Sequence, residues 1–192
     1  MTSRPAITIR PADPERDAAI CAEIYAPSVE STPISFETVP PDAAEFSGRI
    51  AKYSATHQFL VAEEDGEVLG YAYACRWAER PAYDWSVETS IYVAAGQQGK
   101  GVGRALYAEL FERLRAQGFR IAVAGITLPN PASIGLHESM GFAPIGTLRD
   151  IGWKEDGWRD VGFWQLSLQP LGDGAVGGVG TPEAELGRRG AV

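Results

Sequence analysis

The chain has 192 residues, 45% of them hydrophobic and 22% charged, which fits one globular domain long enough to bury a core. Its formal net charge of -8 argues against a general affinity for nucleic acid or an anionic membrane. No apolar run approaches the ~20 residues that span a bilayer, Met1 to Arg10 lacks the apolar centre of a signal peptide, and two cysteines and two histidines leave little for a disulfide framework or metal site. A cytoplasmic protein with no metal is expected.

In chain order, Ile7 to Arg10 reads as a first strand. Asp13-Pro14 reads as a helix start, with Ile20, Cys21, Ile24 and Tyr25 as the apolar stripe behind it. A polar loop follows from Pro27 to Pro41, with Phe36 its one large apolar residue. Asp42 caps a second helix in which Phe46, Ile50 and Tyr53 share a face. Gln58 to Glu63 and Val68 to Trp77 form a hairpin around Asp65-Gly66. Ser86 to Val93 is a further strand. Val102 to Gln117 has helical spacing through Leu106, Leu110 and Leu114. Arg120 to Ile126 reads as a strand and Asn130 to Met140 as a short helix stopped by Gly141. Ile145 to Asp150 and Trp158 to Leu168 close the series. The order β-α-α-β-β-β-α-β-α-β-β predicts a mixed α/β domain over residues 1–170. Residues 171–192 are rich in Gly and poor in large apolar residues, and read as a disordered tail.

The strongest local signal is Gln98-Gly99-Lys100-Gly101-Val102-Gly103, between the apolar strand Ile91 to Val93 and an amphipathic helix. Small residues let a ligand approach the backbone, and the helix start offers unpaired N–H groups and a positive dipole end. That is a cradle for phosphate, with Lys100 and Arg104 adding charge. Taken alone, the loop fits a tight strand-to-helix turn equally well. A Walker loop, G-x-x-x-x-G-K-S/T, is absent, and the glycine spacing differs from a Rossmann loop.

Gln-x-x-Gly-x-Gly between strand and helix resembles the acetyl-CoA signature of the GNAT superfamily. Asn130, Ser133, His137 and Gly141-Phe142 match a second element of that family, with His137 where Tyr is usual. Tyr83-Asp84-Trp85, Glu88-Thr89-Ser90-Ile91-Tyr92-Val93, Leu128-Pro129-Asn130 and Asp160-Val161-Gly162-Phe163-Trp164-Gln165-Leu166 resemble phosphinothricin and methionine sulfoximine acetyltransferases. The resemblance spans roughly Ile7 to Leu168. It implies a GNAT fold: a mixed, mostly antiparallel twisted sheet, splayed at its centre and flanked by about four helices. It also implies acetyl-CoA as co-substrate, with its pyrophosphate on Gly99, Lys100, Gly101, Val102, Gly103 and Arg104. The pantetheine arm would lie beside Ile91, Tyr92 and Val93, and Asn130 and Ser133 along that arm. The acceptor would be a small amino acid surrounded by Phe36, Arg80, Tyr83, Thr89, Ser90, Tyr92 and Val161. A homodimer is the family expectation.

Acetyl transfer to an amine needs a base, stabilisation of charge on the thioester oxygen, and a proton donor for the departing thiolate. Glu88, between apolar neighbours beside the cofactor strand, is the candidate base; an outward-facing strand residue is the other reading. His137 reads as a proton donor or amine-positioning group, or as a core histidine. Tyr107 reads as another donor or as packing. Arg80 suits a carboxylate or phosphinate, or is a solvated loop charge. Ala78 stands where some phosphinothricin acetyltransferases carry Lys.

Overall fold

The computed structural model describes residues 7–169; the predicted tail lies outside them. Seven strands form one sheet in the order β1-β2-β3-β4-β5-β7-β6. They are β1 (Thr8–Pro11), β2 (Phe59–Glu64), β3 (Glu67–Arg76), β4 (Ser86–Val93), β5 (Ile121–Thr127), β6 (Ala143–Lys154) and β7 (Gly157–Ser167). The helices are α1 (Ala18–Glu30), α2 (Ala43–Thr56), α3 (Val102–Gln117) and α4 (Pro131–Ser139). All neighbours are antiparallel except β4 and β5. The mixed α/β class and element order expected from sequence are those of the structure.

Strand alternation assigns the two faces. Phe59, Val61 and Tyr71 pack with Cys21, Tyr25, Phe46 and Ile50 of α1 and α2. Leu60, Ala62, Ala72, Ala74 and Val87 pack with Leu106, Leu110 and Leu114 of α3 on the other face. Ala122, Ala124 and Ile126 of β5 join that second cluster. The sheet is therefore a middle layer with a separate apolar core on each side.

The sheet is discontinuous at its centre. β4 is paired with β3 from Val87↔Arg76 to Val93↔Gly70, all but its first residue. β5 is likewise paired with β7 from Ile121 to Thr127. Between β4 and β5 the register covers only Ser86↔Ile121, Val87↔Ala122 and Glu88↔Val123. Beyond Glu88 the strands part.

Three local expectations need correction. The first helix begins at Ala18, not at Asp13. Asp13 instead closes a turn: its Oδ1 accepts from the N–H groups of Glu15 and Arg16, a local pattern that competes with helix. Pro27 lies within α1 rather than opening a loop. Its missing N–H costs one intrahelical bond, but burial of Val29 draws the helix on for another turn. Finally, β6 extends to Lys154, because Glu155 and Asp156, with φ of 50° and 55°, make a two-residue turn that joins it directly to β7.

His57 follows α2, stacks on Phe119 with ring centroids 5.3 Å apart, and has Nδ1 2.8 Å from Thr56 Oγ1. Burial, with a smaller repulsion from Arg76, lowers its pKa from 6.5 to about 4. Between those values the unfolded chain binds a proton that the native ring refuses, so stability falls as pH drops from 6.5 towards 4. His57→Phe is expected to remove on the order of 2 kcal/mol of the fall in unfolding free energy between pH 7 and pH 5, read from urea titrations at each pH.

Candidate functional site

A cavity of about 610 Å³ fills the gap between β4 and β5. Its wall changes character across the sheet. On the α3 side it is formed by Thr89, Ile91 and Val93 of β4, the glycine loop, Tyr107, and Asn130, Ser133, Leu136 and His137 around α4. On the α1 side it is formed by Ser90 and Tyr92 of β4, Gly125 and Thr127 of β5, and Ile24, Ser28 and Ile34. Residues of opposite strand parity line one space, so the cavity passes through the sheet from face to face.

The glycine loop forms the mouth on the α3 side. Gly99 and Gly101 have φ of 73° and 90°, a region closed to most side chains. Gly101 is the N-cap of α3 and supplies no side-chain cap. The first intrahelical bond shown there runs from Ala105 N–H to Gly101 O at 3.0 Å. The N–H groups of Val102, Gly103 and Arg104 precede it, at the positive end of the helix dipole. This is the geometry of an anion cradle. Lys100 is exposed and donates to Gln97 Oε1 at 3.0 Å, while Arg104 donates to Ser139 O at 3.4 Å.

Asn130 caps α4, its Oδ1 accepting from Ser133 N–H at 3.1 Å. One turn on, His137 is buried. Its Nδ1 lies 2.7 Å from Ser133 O, and its Nε2 lies 2.9 Å from Tyr107 Oη. A carbonyl only accepts, so Nδ1 carries the hydrogen. Burial lowers the ring's pKa, with Ser133 O opposing, and a neutral ring then leaves Nε2 as acceptor. The network assigns the donated hydrogen between the two rings to Tyr107. Burial holds the Tyr107 phenol above its ordinary pKa, with the Thr89 hydroxyl opposing, so it remains protonated at neutral pH.

Glu88 occupies the fork of the split, in the last registered pair of β4 and β5. It shares parity with Ser90 and Tyr92 and lies opposite Cys75, on the α1 side of the sheet. Burial alone raises its pKa above the usual carboxylate value. The next two residues, Thr89 and Ser90, line the cavity.

Of the other sequence-stated candidates, Gly99, Gly101, Val102, Gly103, Arg104, Ile91, Tyr92, Val93, Asn130 and Ser133 converge on the cavity wall. Glu88, Lys100, Phe36, Arg80, Tyr83 and Val161 lie outside that wall, Glu88 directly before Thr89 and Ser90. Phe36, Arg80 and Tyr83 are exposed, the last in a 3-10 turn, Pro81–Tyr83. Val161 of β7 is paired with Thr127 and Leu148. Sequence reasoning did not single out Gly125, Thr127, Ile24, Ser28 or Ile34. Only the path of the β4–β5 gap brings them together, and no local motif marks them.

The acetyltransferase (GNAT) family profile matches residues 22–142. The chain is 43% identical over 163 residues to a phosphinothricin N-acetyltransferase of Streptomyces viridochromogenes, covering 85% of this chain and 88% of that one. It is 38% identical to an L-methionine sulfoximine/L-methionine sulfone acetyltransferase of Salmonella typhimurium, covering 84% and 95%. Among solved structures it resembles a GNAT superfamily phosphinothricin acetyltransferase from Sinorhizobium meliloti in complex with acetyl-CoA. The TM-score is 0.79 at 37% identity, over 84% of this chain and 88% of that one. With the split sheet, the glycine cradle and these likenesses together, the chain belongs to the GNAT acetyltransferase family.

Proposed function

We propose that the protein transfers the acetyl group of acetyl-CoA directly to the α-amine of a small L-amino acid such as phosphinothricin, methionine sulfoximine or methionine sulfone. The observation that carries this reading is the cavity through the sheet. Its α3 side has a cradle suited to pyrophosphate, and its α1 side is a compact wall of Ile, Ser, Thr and Tyr. Two substrates entering from opposite faces meet at the split, which provides the proximity that direct transfer requires. The thioester supplies the activated acyl group.

Each face carries a proton-handling group suited to its side. Glu88, on the acceptor face, takes the proton from the ammonium, directly or through a water. Its raised pKa makes it a stronger base than an ordinary carboxylate. Tyr107, on the donor face, keeps its one hydroxyl hydrogen on His137 Nε2 in the resting site and turns it to the departing sulfur as negative charge grows there. Asn130 and Ser133 line the path of the pantetheine arm, and the β4 backbone from Thr89 to Val93, which has no register with β5, offers it main-chain hydrogen bonds.

Apart from Glu88 at the fork, the acceptor side of the cavity has no Asp or Glu among its described lining residues. That disfavours a polyamine or aminoglycoside acceptor, whose cationic groups need carboxylates. Arg80 lies outside the wall and meets the acceptor's anionic group only if the 3-10 turn folds inward. The protein acts as a homodimer in this reading. β6 ends the sheet, and Ile145, Leu148, Ile151 and Trp153 along it, with Trp158 of β7, are exposed. An apolar open edge of this length calls for a partner, and a second copy can pair with it antiparallel about a two-fold axis.

Free CoA release should depend on added phosphinothricin, methionine sulfoximine or methionine sulfone and should not appear with spermidine; release with spermidine alone would overturn the amino-acid reading. With the best acceptor, Glu88→Gln should lower kcat/KM about 10²–10⁴-fold. It should also remove the acid limb of the pH profile, which in the native enzyme lies above the ordinary carboxylate pKa. Tyr107→Phe should cost about 10²-fold in kcat with little change in acceptor KM. Light scattering should give about twice the chain mass, falling to the monomer for Trp153→Asp/Trp158→Asp.

A further inference from the structure

The sheet alone does not set the width of the acceptor side. Beyond Glu88, β4 and β5 share no registered pair. The half containing β1 to β4 and the half containing β5, β7 and β6 diverge there. Residues 31–41, between α1 and α2, bridge them.

This segment belongs to the first half through side chains. Ser35 Oγ is 2.6 Å from Tyr25 Oη, and Arg49 donates to both carboxylate oxygens of Glu37 at 2.8 and 3.0 Å. It reaches the second half at three points. Thr127 Oγ1 of β5 donates to Ile34 O at 3.1 Å. The Phe36 ring lies over Gly152 of β6 so closely that a Cβ at Gly152 would stand 2.2 Å from Phe36 Cε2. Lys154, at the end of β6, donates from Nζ to Val29 O at 2.7 Å and also to Glu37 O.

Lys154 is the anomaly among these contacts. Nearly every other residue of β6 is exposed, yet Lys154 is only 9% exposed. Burying an ammonium is costly unless its protons meet acceptors. The acceptors here are two main-chain carbonyls, one in the last turn of α1 and one in the bridging segment. A side chain that served only solubility would point outward, as its neighbours do.

We infer that Lys154 is a positioning residue that determines acceptor specificity. Its ammonium clasps residues 31–41 to the second half of the sheet, and so fixes how far Ile34 and Ser28 stand from Thr127 and Gly125 across the acceptor side of the cavity. Gly152 is the second part of the clasp, since only the absence of a side chain lets Phe36 settle there. The clasp touches neither the glycine loop nor α4, so it governs the acceptor and leaves the donor site alone. This inference rests on the proposed reading of the α1 side as the acceptor subsite.

The test combines kinetics with amide hydrogen exchange on the full-length protein. Lys154→Met is expected to raise the acceptor KM at least tenfold, with the acetyl-CoA KM within twofold, and to speed exchange in residues 32–40 at least tenfold. Lys154→Arg, which keeps the charge and donors, should restore most of both. Gly152→Ala, which keeps every charge and tests the clasp if Lys154→Met fails to fold, should show the same split. Unchanged exchange in residues 32–40 of either variant overturns the clasp, whatever the substrate. Exchange that rises while the two KM values move together overturns the specificity role. If the native protein acetylates no amino acid, the proposed function fails, and the exchange measurement still decides the clasp.

Discussion

β4 and β5 run parallel, pair at three positions and then separate, although each remains paired on its other side. Strands that part inside a sheet leave main-chain donors and acceptors facing an open gap, which is costly unless something polar fills it. The rest of the site follows from that gap. The cavity lies in it, Glu88 marks its fork, the glycine loop lines one mouth and Ile34 of residues 31–41 lines the other side. Parallel pairing also puts the C-terminal ends of both strands at the same edge, so the loops that follow them, to α3 and to α4, flank a single opening.

Two apolar cores, one on each face, hold the divided sheet. Their positions shape the electrostatics of the cavity. Glu88 is pushed towards its neutral form, and His137 towards its neutral form as well, by the same cause, loss of water. A buried carboxyl with a raised pKa and a neutral imidazole that only accepts at Nε2 are opposite chemical tools. In the proposed reaction they serve opposite faces, one removing a proton from the amine and the other holding the phenol until its hydrogen turns to the leaving sulfur.

Much of this was legible in the sequence because it is local. The glycine loop and α3 are contiguous, Asn130 caps the helix that carries Ser133 and His137, and the alternation in β2 to β4 gives the faces. Local signals also misled. Asp13-Pro14 has the residues of a helix start, but its carboxylate closes a turn. Pro27 looked like a stop, and Val29 packing overrode it. The Glu155-Asp156 turn has a usable signal in Asp156-Gly157, yet the strand pattern before it extends only to Asp150. What the sequence does not carry is the length of the β4–β5 pairing, which depends on contacts across many residues. Lys154 is the clearest case. It reads as an ordinary lysine at a hairpin end, and its burial depends on carbonyls more than a hundred residues earlier in the chain.

In the proposed reaction donor and acceptor reach each other through the sheet. A crystal structure with CoA and an amino-acid acceptor bound together tests it most directly. The pantetheine arm is expected between β4 and β5, entering from the α3 face, with the acceptor amine on the α1 face at hydrogen-bonding distance from Glu88 or from a water that Glu88 holds. An acceptor bound on the α3 face, beside the arm and away from Glu88, would contradict it.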